Sequence, residues 1–62
     1  MNEAEEARKR RREIQDLISE AEGWLTQAKL ALYRDTGKDI AILAVERGLA
    51  YAKDARGMLS AE

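Results

Sequence analysis

Apolar residues recur with helical spacing along the first half of the chain. From position 14 to 32 they follow one another at intervals of three, one and three residues, which is the pattern of a single face of an α-helix. The members of this stripe are Ile14, Leu17, Ile18, Ala21, Trp24, Leu25, Ala28, Ala31 and Leu32. The pattern predicts a helix over residues 13–34 whose apolar stripe faces a core.

A second helix is predicted over residues 39–60, and its apolar arc is wider. One stripe consists of Ile42, Val45, Leu49, Ala52 and Leu59. Beside it runs a small-residue stripe, which consists of Ala41, Ala44, Gly48, Tyr51, Ala55 and Met58. Small residues at helical spacing allow two helix backbones to approach closely. A helix with two apolar stripes is expected to have two neighbours, of which the first helix supplies only one.

The two predicted helices are separated by one cluster of turn-forming residues. This cluster is Asp35-Thr36-Gly37-Lys38-Asp39, the turn at residues 35–39. Gly37 can adopt the left-handed conformation that ends a helix, and Asp39 can cap the amides that begin the next. Thr36 and Asp39 alternatively form a weak capping box. Helices joined by so short a turn lie antiparallel, so the sequence predicts an all-α helical hairpin and a single domain over residues 1–62.

Residues 1–12 lack large apolar side chains after the first methionine but retain helix signals. Asn2 is placed to cap the first helix, with Glu5 three residues later. At 1.5 Å per residue, the second helix would cover roughly 30 Å and the first nearly 50 Å. Leu59 should therefore lie near Ile14 or Leu17, and residues 1–12 should form a charged helical overhang.

The length of 62 residues makes a stable monomer difficult to build. Domains of this size usually need disulfides, a metal or a second subunit, and the chain contains neither cysteine nor histidine. We therefore expect a homodimer that forms an antiparallel four-helix bundle. The predicted dimer interface is the small-residue stripe together with Trp24 at the edge of the first helix's stripe: Ala41, Ala44, Gly48, Tyr51, Ala55, Met58 and Trp24.

Catalysis is not expected, because no histidine can activate the serine, threonine or tyrosine hydroxyls. Glu13, Asp16 and Glu20 share a helix face that could hold hydrated magnesium, but such a stripe is typical of a solvated surface. We expect no cofactor and no metal. The 11 basic and 12 acidic residues leave no long apolar run and no secretory signal, which favours a cytoplasmic protein without a membrane segment.

A candidate docking face lies opposite the apolar stripe of the first helix. It consists of Gly23, Thr26, Leu30 and Tyr33, spaced at i, i+3, i+7 and i+10. A grouped leucine and tyrosine can mark a docking surface, although an incidental Leu30 and a Tyr33 folded over the turn explain the pattern equally well. The main hypothesis is a small interaction module that binds, sequesters or inhibits another protein.

A run of consecutive basic residues gives a second hypothesis, a nucleic-acid-associated accessory protein. The basic segment is Arg8, Lys9, Arg10, Arg11 and Arg12. It could bind a phosphate backbone, but its charges encircle the helix, no aromatic residue interleaves with them, and Glu3, Glu5, Glu6 and Glu13 lie nearby. A solvated helix is the favoured interpretation. A designed or purely structural hairpin is a third hypothesis, although three glycines inside helices argue against idealised design.

Overall fold

The computed structural model of the chain describes residues 2–34 and 37–61. Two α-helices, α1 (Glu3–Tyr33) and α2 (Lys38–Ser60), pack against each other along most of the length of α2. The hairpin is elongated, with extents of 50 × 16 × 11 Å. The prediction of an all-α helical hairpin is confirmed.

The first helix begins with the predicted side-chain cap. The Oδ1 atom of Asn2 accepts hydrogen bonds from the backbone N–H groups of Ala4, at 2.8 Å, and Glu5, at 3.3 Å. Glu3, Glu5 and Glu6 lie in the first turn, where carboxylates interact favourably with the positive end of the helix dipole. These local interactions support a helix start that lies beyond the end of α2.

The connection between the helices depends on one glycine. α1 ends at Tyr33, and Gly37 precedes α2 with φ 135° and ψ 114°, a conformation that L-residues rarely adopt. α2 begins at Lys38, one residue earlier than predicted, and no side chain caps it. Asp39 lies inside the first turn instead of capping it, so that prediction was wrong. Asp35 and Thr36 lie outside the described residues, and with them the capping box proposed for Thr36.

The contact between the helices is built mainly from alanine. The buried residues are Ile14, Ala21, Ala28 and Ala31 on α1 and Ala41, Ala44, Gly48 and Ala55 on α2. Ala28, Ala31, Ala41 and Ala44 form one cluster, against which Trp24 packs. Of the large apolar side chains in the described residues, only Ile14 is buried. The hairpin therefore gains little of the burial that normally stabilises a domain.

The open end of the hairpin has the predicted alignment. Ile14, Leu59 and Arg11 line one shallow groove, which places the last turn of α2 beside Ile14. Since α2 ends at Ser60, the part of α1 before about residue 12 extends beyond the end of α2. The overhang of α1 is thus a consequence of the unequal lengths of the two helices.

Candidate interaction surfaces

Within residues 2–34 and 37–61, no set of three or more acidic side chains is arranged to hold a metal ion. Glu13, Asp16 and Glu20, which share a face of α1, are all exposed. In the same described part of the chain, neither helix has a stretch long and apolar enough to cross a membrane.

One side of the hairpin carries a nearly continuous apolar surface, here called the apolar face. Its members are Ile18, Leu25 and Leu32 on α1 and Ile42, Val45, Leu49, Ala52 and Leu59 on α2. Leu32, Ile42 and Val45 line a groove near the turn. Ile18, Leu25 and Leu59 line a second groove toward the open end. Both grooves run between the helices, and charged side chains line them as well: Lys38 and Glu46 near the turn, and Glu22 and Arg56 toward the open end.

The sequence pattern had assigned the apolar face to the core of the hairpin. The structure instead leaves its large members between 38% and 64% exposed. The apolar row on α1 was missed as a surface because it shares a stripe with Ile14, Ala21 and Ala28, which are buried. The sequence feature that could have indicated this surface is the difference in size between the alanines and the leucines of the stripe, since helices that meet through alanines approach more closely than helices that meet through leucines.

The small-residue stripe of α2 packs inside the hairpin. Ala41, Ala44, Gly48 and Ala55 are buried against α1, and Tyr51 and Met58 are partly buried. Because α1 already covers these residues, they are not free to form the dimer interface predicted for them. That assignment is corrected: the small-residue stripe of α2 packs against α1, and the stripe with large side chains is the exposed one.

The close approach of the helices is clearest at Gly48. A Cβ atom at this position would lie 3.2 Å from the backbone oxygen of Ala21 and 3.2 Å from Cγ of Leu25. Both distances are shorter than ordinary van der Waals contact, so the missing side chain permits this approach. In contrast, a Cβ atom at Gly23 or Gly57 would meet nothing within 4 Å.

The side of the hairpin opposite the apolar face carries Trp24. Its indole ring is partly buried against the alanine cluster, and the guanidinium carbon of Arg47 lies 5.2 Å from the ring centre. This distance is within the range of a cation–π interaction, worth about 0.5–1 kcal/mol where solvent has access. Trp24 thus joins α1 to α2 within one chain, which agrees with the packing role that its place in the apolar stripe of the first helix indicates.

The candidate docking face on α1 lies at the surface. Gly23, Thr26, Leu30 and Tyr33 are all exposed, with Leu30 at 40% and Tyr33 at 90%. Tyr33 does not fold over the turn. By helical spacing these residues lie away from α2, so they form a surface separate from the apolar face.

The basic segment lies on the overhang of α1. Arg8, Lys9, Arg10, Arg11 and Arg12 are all exposed, and α1 continues as a helix through them. Successive residues of a helix point about 100° apart, so the five charges surround the helix axis. The structure therefore presents them in several directions at once.

Comparison with known proteins identifies no relative: no family model, no curated protein and no solved structure matches the chain. The class that the fold defines is an α-helical hairpin with an alanine core and an exposed apolar face. Its function is argued from these surfaces alone.

Proposed function

We propose that the chain is a small non-enzymatic interaction module that acts as a homodimer. Two hairpins bury their apolar faces against each other and form a four-helix bundle. The outer surface of the bundle then binds, sequesters or inhibits another protein. The observation that carries the proposal is the combination of an alanine core with one face that carries seven of the eleven exposed large apolar side chains among the described residues.

The surface area of the hairpin supports a second copy as the occupant of the apolar face. The chain exposes 5350 Å², whereas a compact protein of the same mass, 7.0 kDa, would expose roughly 4000 Å². The excess follows from the elongated shape and includes the charged overhang. A dimer that buries ~800 Å² of each copy at the apolar face, as in a typical stable interface, would remove part of this excess.

The candidate docking face would remain uncovered in this dimer. Leu30 and Tyr33 are not members of the apolar face, and both are exposed on the hairpin. An aromatic and a leucine side chain at the surface are suited to the apolar centre of a protein interface. We assign partner binding to this surface and self-association to the apolar face.

Two matched leucine substitutions test this assignment. Leu49 on the apolar face is 53% exposed, and Leu30 on the docking face is 40% exposed. Full burial of a leucine contributes about 1.5–3 kcal/mol, and about half of that remains to be gained at each of the two copies of Leu49, so Leu49→Glu should weaken the dimer at least ~10-fold. Leu30→Glu should leave it unchanged. Sedimentation equilibrium at micromolar concentration measures both effects.

A wild-type chain that is a folded monomer at tens of micromolar would contradict the proposed homodimer. Partner binding is tested separately by capture from the native host. A partner held by the wild type and lost with Leu30→Glu, in a variant that still dimerises, supports the docking face. Equal capture by both would exclude it.

The alternative function is association with nucleic acid through the basic segment. The structural feature in its favour is the overhang, because the exposed residues 8–12 extend beyond the end of α2 and can reach a phosphate backbone. The encircling arrangement of the charges and the nearby Glu3, Glu5 and Glu6 argue for a solvated helix. Protein binding therefore remains the proposed function.

A further inference from the structure

We propose that the two hairpins of the dimer meet with their turns at opposite ends, so that α1 packs on the partner's α1 and α2 on the partner's α2. This inference rests on the homodimer proposed above. A symmetric pair of hairpins stacked through one face has two possible arrangements. In the other arrangement both turns lie at the same end, and α1 packs on the partner's α2.

The apolar row on α1 matches a reversed copy of itself. Ile18, Leu25 and Leu32 are spaced seven residues apart, so Leu25 is the centre of the row. In an antiparallel pair of α1 helices, Leu25 meets the partner's Leu25 and Ile18 meets the partner's Leu32. All three residues then have an apolar counterpart at the same height, as in the seam of a coiled coil.

Four of the five residues in the row on α2 have the same property, and Leu59, twelve residues from position 47, has no counterpart in the reversed row. Ile42 and Ala52 lie equally far from position 47, and so do Val45 and Leu49. In a reversed copy, Val45 meets the partner's Leu49 and Ile42 meets the partner's Ala52. Larger side chains then lie opposite smaller ones, which favours close packing.

The structure places the centres of the two rows at one height along the hairpin. A Cβ atom at Gly48, the residue next to Arg47, would lie 3.2 Å from Cγ of Leu25. A two-fold axis perpendicular to the helices pairs α1 with α1 and α2 with α2 at the same time only if the centres of the two rows lie at one height. The close approach of Gly48 to Leu25 meets that requirement.

Charged residues beside the row on α1 favour the same arrangement. Glu22 lies three residues before Leu25, and Lys29 lies four residues after it. Within α1, neither Glu22 nor Lys29 has a charged residue three or four positions away with which it could form an ion pair. In the reversed copy, Glu22 lies opposite the partner's Lys29, and this contact occurs twice. In the other arrangement Glu22 and Lys29 would also meet opposite charges, the partner's Lys53 and Glu46, but displaced by about three residues or ~4–5 Å, so the preference rests on the better alignment of Glu22 with Lys29.

The overhangs distinguish the two arrangements only weakly. With the turns at opposite ends, the two basic segments (residues 8–12) lie far apart. In the other arrangement they lie at the same end on diagonally opposite helices, where exposed charges separated by more than the Debye length of about 8 Å are largely screened. The proposed arrangement places Lys38 in register with the partner's Arg56, since each lies nine residues from position 47. This like-charge contact, made twice, opposes the arrangement by up to about fivefold in affinity each, which corresponds to about 1 kcal/mol. Both residues have solvent access, and long side chains can keep their charges in water.

A charge exchange between Glu22 and Lys29 tests the orientation. Glu22→Lys or Lys29→Glu alone places like charges at two symmetry-related contacts, and each should weaken the dimer about tenfold. The double variant restores both contacts, so its affinity should return to within about threefold of wild type. Glu20→Lys, outside the apolar face, is the matched control and should cause little change.

The other arrangement predicts the opposite result for the double variant. There Glu22→Lys would place a cation near the partner's Lys53, and Lys29→Glu would place an anion near the partner's Glu46, so the two losses would add. A double variant that dimerises more weakly than either single variant therefore overturns the proposed orientation. A wild type that fails to dimerise at all instead contradicts the proposed function.

Distances between nitroxide labels provide an independent measurement. The chain has no cysteine, so Arg10→Cys and Arg34→Cys each introduce one labelling site per subunit. At 1.5 Å per residue from the level of Leu25, the two labels should be ~45 Å apart at position 10 and ~27 Å apart at position 34. A dimer whose position 10 labels are less than ~25 Å apart has both turns at the same end, which overturns the proposal.

Discussion

Glycine-to-alanine substitutions can measure how closely the two helices pack. Replacing a solvent-exposed glycine inside a helix by alanine stabilises the helix by up to about 1 kcal/mol. A Cβ atom at Gly57 meets nothing within 4 Å, so Gly57→Ala should realise this gain. For a domain of this size, about 1 kcal/mol corresponds to an increase in Tm of roughly 4–8 °C.

The same substitution at Gly48 meets a different environment. The new Cβ would lie 3.2 Å from the backbone oxygen of Ala21, which cannot rotate away as a side chain can. α1 must instead move away from α2, which loosens the contacts of the alanine cluster. Overpacking of this kind costs about 1–3 kcal/mol and exceeds the gain in helix propensity. Gly48→Ala should therefore lower the Tm, and Gly48→Leu should lower it further or unfold the chain.

Circular dichroism melts at one fixed protein concentration provide the comparison, because the Tm of a dimer depends on concentration. The expected difference between Gly57→Ala and Gly48→Ala is on the order of 10 °C. Gly23→Ala is a second control, since its Cβ would also meet nothing within 4 Å. An equal rise in Tm for Gly48→Ala and Gly57→Ala would refute the close approach of α1 and α2.

Two further outcomes are expected. Gly37→Ala should destabilise the hairpin by about 1 kcal/mol or more, measured by urea unfolding, because an L-residue is strained at φ 135°; an unchanged midpoint would mean that the turn does not need this conformation. The basic segment should not bind duplex DNA at about 150 mM salt. Sub-micromolar binding that disappears when residues 10–12 are replaced by alanine, with the steep salt dependence of phosphate contacts, would instead favour the nucleic-acid function.

Local patterns in the sequence were sufficient to predict the two helices of this fold and the connection between them. The period of the apolar residues predicted both helices, Asn2 marked the start of α1, and Gly37 marked the connection. The unequal lengths of the predicted helices also placed Leu59 beside Ile14. These features depend on residues close together in the chain, whose geometry in a helix or a turn is nearly fixed.

Tertiary structure alone decided which face of each helix met the other. Periodicity gives the angle of a residue around its own helix. On α2 two adjacent apolar stripes have the helical period, so periodicity does not decide which of them faces α1. The choice depends on the distance between the helices. Alanines on α1, such as Ala21 and Ala28, lie against small residues of α2, such as Ala44 and Gly48, and this match draws the backbones together. At that separation the larger side chains do not fit fully between the helices: Leu25 lies beside Gly48 and is still 43% exposed, and the other large members of the apolar face remain on the surface.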